Sequence, residues 1–222
     1  MKYFILSLIS VFILSNSSFA QMQLNYKNNY SIPIQIDSSD TYFIGSLVDK
    51  TNKVKYSMSY NVNYNNPNLG FWTNILVYNT KTDEVKKLFT DSLVMVYPFF
   101  SGLTERNVYD YSTAKMVRGS MVYENFVLIC VKADNYSKDG IIDDEDPLSI
   151  FICTKDGKKL TQITPNEMNV LSYKVSRDMK TIFMNVLRDK DGDKKFSNES
   201  EEIYKVTIGK DVSKFELKKL EL

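Results

Sequence analysis

Two acidic segments hold the densest oxygen chemistry of this chain. The first, Asn135-Tyr-Ser-Lys-Asp-Gly-Ile-Ile-Asp-Asp-Glu-Asp146, spaces oxygen-bearing side chains along a run of twelve residues. Counted as a twelve-residue loop around a hard cation, Asn135, Ser137, Asp139, Asp143 and Asp146 take positions 1, 3, 5, 9 and 12. Ile141 at position 7 would offer its backbone carbonyl, and Gly140 at position 6 stands where such a loop turns sharply. The second segment, Asp189-Lys-Asp-Gly-Asp-Lys-Lys-Phe-Ser-Asn-Glu-Ser200, starts 189 − 135 = 54 residues later. It repeats the pattern with Asp189, Asp191 and Asp193 at positions 1, 3 and 5, the Lys195 carbonyl at 7 and Ser197 at 9. Calcium suits such a set, because it takes six to eight oxygens and because clustered carboxylates repel one another until a cation neutralises them. The second segment departs twice from the pattern. Lys194 stands at the turn position, and Ser200 at position 12 leaves Glu199, Glu201 or Glu202 to shift in, of which Glu201 is the expected ligand. The competing reading is that both segments are acidic, solvated hairpin tips, since Asp, Asn and Gly favour turns in any case.

Both segments resemble EF-hand and dockerin calcium loops, with β-formers in place of helices on their flanks. That resemblance implies a structural ion pinning each long tip. Asp146 stands where a bidentate Glu is usual, which points to weak binding, and a protein outside the cytoplasm can work with affinities of ~10⁻⁴–10⁻³ M.

Other chemistries are excluded by composition. The 222 residues include no His and 2 Cys, so there is no Ser-His or Cys-His nucleophile pair, no imidazole base, and no His-ligated or all-thiolate zinc. A formal charge of +1 gives no net pull toward nucleic acid or anionic lipid. Asp143 to Asp146 and Glu199 to Glu202 could supply the paired carboxylates of a glycosidase, but nothing sets their separation and their place on turns reads as solvated charge. The stretch from Tyr56 to Trp72 (Tyr56, Tyr60, Tyr64, Phe71, Trp72) reads as alternate core residues before it reads as a sugar or peptide surface. Lys86-Lys87, Lys158-Lys159 and Lys218-Lys219 sit near strand ends, where Lys discourages edge pairing. Cys130 and Cys153 fall on successive strands; a register placing them opposite one another allows a disulfide in an oxidising compartment, and the alternative is two free thiols serving as small core residues.

The elements that must position these loops are strands. Segments of β-formers are separated by Asn, Asp, Gly, Ser and Lys turns, and almost nothing has helical period, which predicts an all-β fold. A unit recurs three times. Its first strands are Thr41–Val48, Leu93–Tyr97 and Val170–Val175; its second strands are Lys55–Val62, Phe126–Val131 and Ile182–Leu187. Its closing hairpins begin at Ile75, Ile150 and Ile203, separated by 150 − 75 = 75 and 203 − 150 = 53 residues. An insertion, roughly Phe99 to Tyr123, accounts for the longer spacing. Four-stranded antiparallel units of this length are the pattern of propeller blades.

Ile150 to Pro165, with its Lys155-Asp156-Gly157-Lys158 turn and Leu160-Thr-Gln-Ile-Thr-Pro165 ending, resembles the outer half of a TolB-like β-propeller repeat. Ser176-Arg-Asp-Met-Lys-Thr-Ile-Phe183 resembles that repeat's Ser-Pro-Asp-Gly-Lys turn and following strand, with Arg177 for Pro and Met179 for Gly. The resemblance covers Val94 to Leu220 and implies protein–protein contacts at a cell envelope. Three units fall short of the four blades a closed propeller needs, so Tyr30–Asp37 would add a strand to complete a circle, or the units would form an open stack. A β-sandwich is the alternative fold.

Met1–Ala20 reads as a secretory signal peptide: Lys2, an apolar Tyr3–Leu14, and Ser18-Phe19-Ala20 before Gln21. The apolar run of 12 residues is short of the ~20 that span a bilayer, so no transmembrane segment is expected after leader removal. Residues 21–222 are then one propeller-like domain of zero net charge, exported to the periplasm or beyond. The expected function is a non-enzymatic protein-binding module with calcium-stabilised loops. The rivals are a carboxylate-dependent hydrolase of glycans or peptides and a self-associating structural subunit.

Overall fold

The computed structural model describes residues 30–31, 33–36, 39–46, 53–54, 72–90, 94–97, 99 and 120–221. The expected leader, the Lys55–Val62 strand and the aromatic stretch up to Phe71 lie outside them. Among the described residues there are thirteen strands and no helix, arranged as three antiparallel sheets. The first sheet runs β1 (Ile34–Gln35), β2 (Thr41–Ser46), β3 (Asn74–Asn79), β4 (Glu84–Lys87). The second runs β5 (Met95–Val96), β7 (Val127–Lys132), β8 (Ser149–Cys153), β9 (Thr161–Gln162), with β6 (Met121–Val122) also on β7. The third runs β10 (Met168–Val175), β11 (Thr181–Arg188), β12 (Glu201–Ile208), β13 (Phe215–Lys219).

The sheets form three layers around two cores, not the two layers of a sandwich. Phe43, Ile75 and Val77 of the first sheet, with Trp72 just ahead of β3, meet Val127, Ile129 and Val131 of β7 in one core. Leu128 and Cys130 of the same strand, with Ile150 and Ile152, meet Ile182, Met184, Tyr204 and Val206 of the third sheet in the other. This explains why β7 is apolar from Val127 to Val131 without a break: both of its faces are covered. In β11 and β12 buried and more exposed residues alternate, because only one face packs inward.

All three sheets point the same way. The hairpin into each second strand closes at Ile36 N–H to Thr41 O, Tyr123 N–H to Phe126 O and Ser176 N–H to Thr181 O. Two residues beyond each closing position stand Phe43, Leu128 and Phe183. Phe43 faces the second sheet, Leu128 faces the third, and Phe183 lies in neither core and is 40% exposed. The stack is therefore head-to-tail.

Two expectations change. Ile34–Gln35 is no separate closing strand: it pairs with β2 through Ile34↔Phe43 and Gln35↔Tyr42, so Thr41–Ser46 takes the second place in its sheet and not the first. The insertion falls between Tyr97 and Ser120, inside the first strand of the second sheet. Tyr97 donates its N–H to Cys130 O (2.8 Å) and Met121 pairs with Leu128, so the strand resumes in register. Ser120 bridges the break, its hydroxyl donating to Tyr97 O (2.9 Å) and accepting from Cys130 N–H (3.1 Å).

Candidate metal-binding loops

The two acidic loops occupy equivalent places, the first between β7 and β8 and the second between β11 and β12. Their backbones match as well. Lys138 (φ 63°) and Gly140 (φ 90°) are left-handed at positions 4 and 6 of the first loop, and Gly192 (φ 79°) and Lys194 (φ 66°) at positions 4 and 6 of the second. Lys194 thus adopts the turn that Gly140 makes freely, at a cost of about 1–2 kcal/mol for an L-residue.

Each carboxylate first makes a turn. Asp189 accepts from Gly192 N–H (2.7 Å) and Lys194 N–H (3.0 Å), Asp191 from Asp193 N–H (3.1 Å), and Asp193 from Lys195 N–H (2.8 Å). In the first loop Asp139 accepts from Ile141 N–H (2.8 Å), Asp143 from Glu145 N–H (2.9 Å), and Asn135 from the Ser137 hydroxyl (3.1 Å). A carboxylate with one such bond keeps lone pairs for a cation.

Only the second loop gathers its acids. Oxygens of Asp189, Asp191 and Glu199 all lie within 4.8 Å of one another. Glu199 is drawn in as its Oε1 accepts from Lys190 N–H (3.1 Å). Asp193, Lys195 and Ser197 are exposed members of the same loop outside that group. Glu201, the expected ligand, opens β12 opposite Leu187, and Glu202 is buried in ion pairs with Lys190 (2.8 Å) and Lys219 (2.9 Å). Those two lysines hold the Glu202 carboxyl down at about 2. The supposed glycosidase pairing in this segment is therefore split between a loop and a salt bridge.

The first loop is closed from within. Asp146 is fully buried and accepts from Ser137 N–H (3.1 Å) and Asp143 N–H (3.0 Å). Burial raises its pKa, against the pull of those bonds. The buried Lys132 amine donates to the Asp146 carbonyl at 2.6 Å, so a lysine already occupies the base of the loop. Asn135, Ser137, Ile141 and Asp143 are half-buried and Asp139 is exposed; no three acids of this loop converge as those of the second do. Ile142 and Phe196, both at position 8, are buried.

The loops also touch. The Tyr136 hydroxyl donates to Asp189 Oδ2 at 2.8 Å, and its ring packs on Phe196 with centroids 5.8 Å apart. Burial and that bond push the Tyr136 hydroxyl up to about 12. Burial raises the Asp189 carboxyl, but the bonds from Tyr136, Gly192 and Lys194 outweigh it and leave the pKa lowered. Burial and neighbouring Lys138 lower the Lys194 ammonium.

The cysteines do not pair. Cys130 lies opposite Ile150 and Cys153 opposite Val127, a shift of three residues from the register a disulfide requires. An odd shift turns the side chains to opposite faces, so Cys130 sits buried in one core and Cys153 in the other, not joined by a disulfide.

A scan against protein-family models finds no match for this chain, and a search of the curated proteins finds none either.

Proposed function

We propose that the chain is an exported, non-catalytic β-repeat module of propeller-like architecture, binding protein at or outside the cell envelope, with calcium as a structural ion in the loop from Asp189 to Ser200. The convergence of Asp189, Asp191 and Glu199 within 4.8 Å carries the calcium reading. These three residues would hold the ion, and the ion would neutralise their mutual repulsion. The first loop, whose acids stay apart, would bind it more weakly. Head-to-tail stacking supports the propeller-like reading: in each sheet chain order follows spatial order, and the chain passes from the last strand of one sheet to the first of the next. The TolB-like resemblance of Ile150–Pro165 supports the protein-binding role, and the leader-like Met1–Ala20 supports export.

Thermal unfolding of the purified protein in ~2 mM calcium and then in chelator tests this, since an ion bound by the native state alone raises the midpoint. Asp191→Asn keeps an acceptor for Asp193 N–H while removing the charge. The expected result is a calcium-dependent rise that shrinks sharply in Asp191→Asn, with calcium-free stability no lower, since one repelling charge is gone. An unchanged midpoint in the unaltered protein overturns the ion and leaves acidic turns.

A further inference from the structure

The head-to-tail stack makes the same kind of interface twice and leaves one half of it at each end. In the second sheet the forward face, including Leu128, Ile150 and Ile152, is covered by Ile182, Met184 and Val206 on the rear face of the third. The forward face of the third sheet carries Phe183, 40% exposed, between Lys174 and Lys205 across the strands, with Asn185 and Ile203 on the next rung. The rear face of the first sheet carries Tyr42 and Tyr78, whose rings lie 6.5 Å apart, then Val85 beside Tyr78 and the Ile44–Leu76 pair. Val85 is 59% exposed, and none of these residues belongs to either core. By register they occupy the positions that Val127, Ile129 and Cys153 fill in the second sheet, where they are buried against the first.

We infer that the forward face of the third sheet seats on the rear face of the first sheet of a second copy, so that two chains close a ring of six sheets. Three reasons favour another copy over an unrelated partner. First, the two end faces are the repeat equivalents of faces that already pack on each other inside the chain. Second, an antiparallel sheet facing water ordinarily presents polar residues, whereas the rear face pairs tyrosines with Ile44, Leu76 and Val85. Third, the three sheets of the described residues are too few to close, while six fall within the four to eight blades of closed propellers. A head-to-tail contact closes when its rotation returns to the start, as two half-rings do. The Lys174 and Lys205 stems that flank Phe183 would lie along the Tyr42 and Tyr78 rings, cation over aromatic face. This inference rests on the propeller-like stacking and not on calcium.

Sedimentation equilibrium of the purified protein from low to high micromolar concentration, in calcium and in chelator, is the test. Phe183→Glu and Val85→Glu, each at an already exposed position, serve as interface variants, with far-UV circular dichroism to verify folding. The expected result is a mass of two chains that falls to one in either variant, with unchanged secondary structure. A mass of one chain throughout overturns the proposal and leaves the calcium reading standing. Open-ended growth with concentration overturns ring closure, and a dimer that survives both variants places the contact elsewhere and overturns it as well.

Discussion

The Tyr136 hydroxyl reaches across from one acidic loop to donate to the Asp189 carboxylate of the other, 53 residues away, at 2.8 Å. One bond thus ties the first position of the second loop to the second position of the first. Removing it in Tyr136→Phe should raise the Asp189 carboxyl pKa and cost about 1 kcal/mol of stability, as a typical hydrogen bond does. Urea unfolding at neutral pH measures the loss. The ring stack on Phe196 survives that change, so Tyr136→Ala should cost more.

The Trp72 ring lies directly against the Gly45 backbone in the first core. A Cβ on Gly45 would fall 2.0 Å from Trp72 Cδ2, and Trp72, fully buried and stacked on Phe99 at 5.6 Å, has nowhere to move. Gly45→Ala should cost about 3 kcal/mol or more. Gly140→Ala, with nothing within 4 Å but φ at 90°, should cost only about 1–2 kcal/mol. Denaturant unfolding followed by the fluorescence of Trp72, the single tryptophan, distinguishes the two.

Glu202 sets an acid limit on the third sheet. Its carboxyl titrates at about 2 in the folded chain against an ordinary 4.5, because Lys190 and Lys219 bond to it. A depressed carboxyl stabilises fully above its unfolded pKa, and the benefit is lost as pH falls from about 4.5 to about 2. Glu202→Gln should flatten that part of the stability-versus-pH curve and cost about 1–2 kcal/mol at pH 7, since both lysines are half-exposed.

The thiols should be silent while the protein is folded. Burial pushes Cys153 up to about 12, and Cys130 is buried in the other core. A thiol reagent at pH 8 should label neither until denaturant is added, after which both react. Electrophoresis with and without reductant should give the same band.

The second and third sheets were legible in the sequence because their central strands, β7 and β8, β11 and β12, run for five to eight residues of continuous or alternating apolar side chains bounded by turn residues. The first differs from the expectation because β1 is only two residues long and leaves almost no period to read. The two acidic loops were legible as spacing, but the glutamate that joins Asp189 and Asp191 was not. Glu199 enters because its side chain caps the Lys190 amide, a choice set by how the loop tightens and not by its position in a pattern. The cysteine register was out of reach for a related reason: a long connection between β7 and β8 leaves the offset free by several residues, and each single step reverses which face a side chain meets. Nothing in the sequence marks Tyr136 as a partner of Asp189, since the pair forms only when two sheets stack.

Tyr97 and Ser120 stand one strand step apart although the chain between them holds twenty-two residues. The two ends of that segment are held at the second sheet by the Ser120 hydroxyl and by Phe99 in the first core. Because Tyr97 and Ser120 take adjacent places along β7, a foreign peptide or a small domain joined between them should leave the pairing of β7 unaltered. The fold thereby contains a ready grafting position in the one place where most sheets would permit no interruption.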